Sequence, residues 1–247
     1  LHLQKEKNRA MTEQWKQNLN EVAREEKVSV LSHFFKTGKG EYGEGDIFIG
    51  ITVPDNRKVA RRYHDAPAGA VTEMLYSPIH EYRLSALLAL VESFKKSKRN
   101  EERQREIVDL YLANLTRANN WDLIDLSAPY ILGEWLFSHP GELEIIHRLS
   151  DSENLWEQRA AIVATMTLIR HGIYDPTFSI SEKYLSHPHP LIHKATGWML
   201  REAGKYGCAD GLAAFLDRHA ASMPRTMLRY AIERLSPEQR KYYMSIR

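Results

Sequence analysis

Three short strings in this 247-residue chain bring aromatic plates and charges to helical spacing, the residue types that stack on rings and hold anions. In Asn120-Trp121-Asp122-Leu123-Ile124-Asp125-Leu126-Ser127-Ala128, Trp121 and Asp125 stand at i and i+4, so on a helix a ring and a carboxylate share one face. Asp122 points about 100° away, placed for the helix's positive N-terminal end. The competing reading makes Trp121 a core residue and Asp125 a solvated or ion-paired acid. The second string, Lys194, Trp198, Arg201 and Lys205, is one stripe at i, i+4, i+7 and i+11, while the apolar residues Ile192, Ala195, Met199 and Leu200 lie mostly on another face. Stacking on a base or sugar, with the cations on phosphates, accounts for that stripe. A tryptophan covered by lysine and arginine stems is the alternative.

The third string, Trp156-Glu157-Gln158-Arg159, sets an aromatic and an arginine at i and i+3, and Arg225 and Arg229 follow at i and i+4. From Lys194 to Arg247 ten basic residues face five acidic ones, an excess that points those helices toward a polyanion. The run Lys95, Lys96, Lys98, Arg99, Arg103, Arg105 reads as a solvated inter-helix segment. His187-Pro188-His189 with His193 has a proline between the first two histidines and no carboxylate at ligand spacing, so no metal is expected. No Ser-His-Asp or Walker-type string is present, and no cofactor is called for.

These residues need helices to position them, and the helical period dominates. Met11 to Phe35 reads as one amphipathic helix or two; further helices are expected over 77–94, 101–115, 121–137, 141–149, 154–170, 180–185, 190–205, 211–220 and 223–235. Asp46 to Val53 is the single short strand candidate, too little for a sheet. The helices repeat. Arg83, before an alanine-rich apolar stretch, has a counterpart in Arg159, 76 residues or twice 38 further on. That period predicts an all-α fold: a curved α-solenoid of HEAT-like, armadillo-type helical repeats, offering a concave face for a long ligand. The whole of 1–247 is expected to be one such domain, with 1–10 disordered or frayed. Residues 38–50 form a glycine-rich loop, four of the thirteen glycines falling within 38–46. Its G-x-G-x-x-G string has neither a preceding strand nor a crossover helix, which argues against a dinucleotide site. Lys36 and Lys39 are placed to reach a phosphate from it.

Composition sets the outer bounds. Lysine plus arginine is 34 against 32 acids, a formal charge of +2, which excludes a histone-like tail but not a local basic face. With 43% hydrophobic and 27% charged residues the chain has the make-up of an ordered globular protein. The lone Cys208 forms no internal disulfide. Without a long apolar run or an apolar signal core, a cytoplasmic location and no membrane association are expected.

Together the strings resemble the AlkD-type DNA alkylation-repair glycosylases, from about the first long helix to Leu235. Trp121-Asp122-x-x-Asp125 resembles that family's catalytic segment, Arg159 its phosphate-binding arginine, and Trp198-x-x-Arg201 its second tryptophan and companion arginine. The glycine-rich stretch 38–50 is longer than the family pattern. The resemblance implies hydrolysis of the N-glycosidic bond of cationic N7- and N3-alkylated purines in double-stranded DNA, by a monomer and without a cofactor. It gives Asp125 the oxocarbenium-like sugar to stabilise and a water to orient, and Trp121 and Trp198 the deoxyribose to pack against. Arg159 takes a phosphate, helped by Arg201 and Lys194; Lys205, Arg225, Arg229, Lys36 and Lys39 complete the expected DNA contacts. It also implies that the damaged base stays in the duplex rather than entering a pocket. A non-catalytic helical-repeat module binding DNA, or a protein scaffold, is the alternative.

Overall fold

A computed structural model describes residues 2–246. Among them every element is helical, and the one β-type pairing is an isolated parallel bridge between Ile47 and Ile79. The chain divides into two compact units, Leu1–Ser127 and Ala128–Arg247, where one repeat domain was expected.

In the first unit, α1 (His2–Asn20) and α2 (Glu25–Phe34) resolve the Met11–Phe35 pattern into two helices. The backbone breaks between them at 21–24, where the Arg24 N–H leaves the helix to donate to the Gly50 carbonyl at 3.1 Å. Residues 2–10, expected to fray, instead extend α1, which reaches the core through Trp15 and Leu19. Trp15 is fully buried, stacks on Tyr63 at 4.6 Å and donates its indole N–H to the Ser85 hydroxyl at 2.8 Å, so α1 is tied to the unit's centre. Two helices escaped the sequence pattern because each is only two turns long: α3 (Val53–Ala60), capped by the Thr52 hydroxyl, and α4 (Ala68–Leu75). The central helix α5 (His80–Lys96) is buried almost all round, as its alanine-rich sequence allows. After α6 (Glu101–Ala113) comes the single turn and a half of α7 (Trp121–Asp125).

The expected helix over 121–137 is interrupted. A π-helical turn at Pro129–Gly133 opens the second unit, its Gly133 N–H reaching the Ala128 carbonyl at 2.9 Å. Pro129 lacks the N–H that an α-helical ladder requires, and a Cβ on Gly133 would lie 2.5 Å from the Ala164 carbonyl oxygen, so the turn is shaped by close packing. Next come α8 (Glu134–Ser138), α9 (Glu144–Ser150) and α10 (Leu155–Arg170), the last starting where Asn154 caps two backbone N–H groups. Then follow α11 (Asp175–Lys183), α12 (Pro190–Lys205), α13 (Ala209–His219), α14 (Arg225–Ala231) and α15 (Pro237–Ser245). Buried apolar residues of α10 and α12 form this unit's core. No described helix is long and apolar enough to cross a membrane.

Candidate functional site

The first unit places Trp121 and Asp125 at the two ends of α7, both half-buried. Trp121 lies against Phe35 with ring centroids 5.3 Å apart and meets Phe34 edge-on at 5.8 Å. Phe34 is 57% exposed, so an aromatic surface flanks the carboxylate's helix at the surface of the unit. Beneath the helix Tyr111 is fully buried and shares a 2.9 Å hydrogen bond with Ser127. Burial raises the Tyr111 phenol above its ordinary range, the Ser127 hydroxyl pulls it back, and the negative charge of Asp125 adds to the rise. Tyr111 is therefore a neutral hydrogen-bonding group and supplies no base.

Asp122 lies in the first turn of α7, as the spacing suggested, and it also bonds outside the helix. It is buried, and its Oδ2 accepts from His80 Nε2 at 2.8 Å. The other ring nitrogen, Nδ1, donates to Asp46 Oδ2 at 3.1 Å. Asp46 also receives Arg83 Nη2 at 2.6 Å and the Asn120 amide at 3.4 Å, so one side chain of the glycine-rich loop holds groups from α5 and from the cap of α7. Burial pulls the His80 imidazole down, but the charge and hydrogen bond of Asp122 and the hydrogen bond to Asp46 outweigh it and push His80 up to about 9. Asp46 goes the other way: burial raises its carboxyl, and His80 and Arg83 together hold it below its usual value.

The loop that delivers Asp46 is fixed by backbone chemistry. The buried carboxylate of Glu81 accepts the N–H groups of Ile49, Gly50 and Ile51 at 2.9–3.2 Å. Gly50 has φ +87°, and a Cβ there would come within 1.9 Å of the Arg24 carbonyl oxygen, so only glycine fits. Lys36 (φ 57°) and Lys39 are exposed where the loop begins. Sequence reasoning missed Asp46 and His80 because 34 to 42 residues separate the members of the cluster. The one available signal was a histidine and an arginine at i and i+3 at the head of α5, just before its apolar stretch.

In the second unit the expected residues fall into two groups. Arg159 is 5% exposed and donates Nη1–H to the Leu191 carbonyl at 2.6 Å, beside His189. Lys194 and Lys205 are exposed and Trp198 is half-buried on α12, so the stripe exists as a surface feature. Arg201 is drawn into ion pairs with Glu202 and Glu233, and Lys205 reaches the same buried Glu202 at 3.6 Å and lies over the Tyr206 ring at 4.7 Å. Arg229 is exposed, whereas Arg225 donates to the Met244 and Ile246 carbonyls and ties down α15. The histidines expected to hold no metal bond locally: His187 Nε2 to Gln158 Oε1 at 2.9 Å, His193 to the His187 carbonyl, and His189 Nδ1 to the Leu191 N–H at 3.1 Å.

Among the described residues every element is helical, with a tryptophan and a carboxylate one turn apart on α7 and lysines beside Trp198 on α12. The family model for the DNA alkylation repair enzyme matches residues 15–235, and the chain belongs to that family. Among solved structures it is similar to one described as a "predicted DNA alkylation repair enzyme" from Enterococcus faecalis, with a TM-score of 0.67 and 18% identity, over 87% of this chain and 97% of that one. No curated protein matches the chain.

Proposed function

We propose that this protein is a DNA glycosylase that hydrolyses the N-glycosidic bond of cationic N7- and N3-alkylated purines in duplex DNA, and that its helices form a solenoid of HEAT-like repeats. The observation that carries this reading is the pairing of Trp121 and Asp125 across one turn of α7, both half-buried in the first unit. An alkylated purine with formal positive charge is already an activated leaving group. The bond breaks with its electron pair moving to the purine, which departs neutral, and no general acid is needed. The deoxyribose left behind has oxocarbenium character; an ionised Asp125 stabilises it, orients the water that adds to the anomeric carbon and takes the proton that water gives up. The Trp121 ring, backed by Phe35, packs against that sugar. In the second unit Trp198 takes the matching sugar-packing role, and Lys194, Lys205 and Arg229 bind phosphates, with Arg159 and Arg201 acting from the positions their internal partners set.

Release of free base from duplex DNA carrying N7-methylguanine tests the reading. Asp125→Asn is expected to bind undamaged duplex as the parent does and to release base at least about 100-fold more slowly. Equal rates discard Asp125 as the catalytic group. Binding by the parent without any release leaves a non-catalytic DNA-binding module.

A further inference from the structure

A helix of five residues cannot hold its own geometry, because a single turn fixes many dihedrals for few hydrogen bonds. What holds α7 lies outside it. Both neighbours of Trp121 are bound to one cluster: Asn120 donates to Asp46 at 3.4 Å, and Asp122 accepts from His80 at 2.8 Å. His80 in turn donates to Asp46 at 3.1 Å, which closes the circuit. A second route joins the same groups through rings, Trp121 on Phe35, and Phe35 on both Phe48 and His80 at about 5 Å. Resting on the glycosylase reading above, we propose that Asp46, His80 and Asp122 are positioning residues that clamp α7 on either side of Trp121, and so set the orientation of the ring and the place of Asp125 one turn later.

The clamp has a definite protonation requirement. Two carboxylates only accept, so His80 must donate from both nitrogens, as an imidazolium; neutral imidazole leaves one carboxylate facing a lone pair. The charges close on themselves, His80 and Arg83 against Asp46 and Asp122, while the adjacent Glu81 carboxylate is taken up by the three N–H groups of 49–51. Phe35 and Phe48 present no titratable group to the ring. The second oxygen of Asp122 is buried without a hydrogen-bond partner, so the His80 contact is what offsets the burial of that carboxylate.

The test compares the full-length parent with Asp122→Asn and Asp46→Asn. Three readings are taken: single-turnover release of N7-methylguanine, affinity for undamaged duplex, and hydrogen exchange of the α7 amides. Asp122→Asn is expected to lower the release rate roughly 10- to 100-fold at unchanged affinity. It should also move the alkaline fall in rate, centred near pH 9 in the parent, to lower pH, because the carboxylate that raises His80 is gone. Exchange should quicken in α7 and spare α5 in both variants. A parental rate and pH profile in Asp122→Asn overturns the proposal, and so does faster exchange spread through the whole first unit. If the parent releases no base, the glycosylase reading fails on its own, and the α7 exchange still decides: local quickening in both variants upholds the clamp, and unchanged exchange ends it.

Discussion

The heads of α5 and α10 carry the same Glu-x-Arg string, Glu81-Tyr82-Arg83 and Glu157-Gln158-Arg159, yet the two are wired differently. At α5 the residue before the glutamate is His80, and carboxylates from two other segments converge on it and on Arg83. At α10 the corresponding residue is Trp156; Glu157 takes the Ser152 hydroxyl, and Arg159 reaches the carbonyl of Leu191 with His189 beside it. One histidine therefore sits among anions and the other beside a cation. Helix periodicity can repeat a string faithfully while the segments packed on its head decide whether it becomes a charge cluster or a backbone anchor.

The sharpest way to break this comparison is to remove Asp46. Its carboxylate faces two cations with a side chain only 6% exposed, and deleting it leaves His80 and Arg83 buried and unbalanced. Asp46→Ala is expected to lower unfolding free energy by about 3–5 kcal/mol in urea denaturation. Glu157→Gln at the α10 head, which loses one hydrogen-bond acceptor partner at most, should cost only about 1 kcal/mol. Similar losses at the two heads would erase the distinction.

Acidity offers the next largest contrast, because the two histidine environments respond with opposite sign. The raised pKa of His80 gives stability that is complete below pH 6.5 and disappears as pH climbs through about 9, on the order of 3 kcal/mol in all. His187 and His189 are lowered, by burial first and then by the positive charge of their neighbours, with Arg159 contributing at His189. Their folded forms prefer to be neutral, so they contribute stability above pH 6.5 and lose it as pH falls below that value. Hydrogen exchange followed segment by segment should show α7 loosening toward alkaline pH and the start of α12 loosening toward acid. A common pH response in both places would show that Arg159 and the two carboxylates do not set these protonation states.

Much of this was readable beforehand. The helical class, the helix over 154–170 and the Trp121–Asp125 spacing followed from the helical period. The bond from His80 to Asp122 was not legible, because spacing along one helix says nothing about a histidine 42 residues away. The glycine-rich loop was legible as a loop but its anchoring was not, since neither the carboxylate of Glu81 that accepts its N–H groups nor the approach of Arg24 to Gly50 leaves a local signature. Which cations already have partners inside the protein was not legible for the same reason: Arg201 pairs with Glu233, and Arg225 donates to the carbonyls of Met244 and Ile246.

That distinction between free and engaged cations yields the finest test. Lys194 and Arg229 stand exposed on α12 and α14, and each phosphate they neutralise releases counterions, so Lys194→Ala and Arg229→Ala should each flatten the log–log salt dependence of duplex binding by about 0.9. Arg83 carries the same formal charge but is 1% exposed and bound to Asp46, so it neutralises no phosphate and releases no counterion from the DNA. Replacing it with methionine should disturb the fold of the first unit, and the fraction that remains folded should bind DNA with the parental slope. A slope that drops for Arg83→Met as it does for Arg229→Ala would mean that the α5 cluster opens when DNA arrives, and the two heads would then differ in rigidity rather than in wiring.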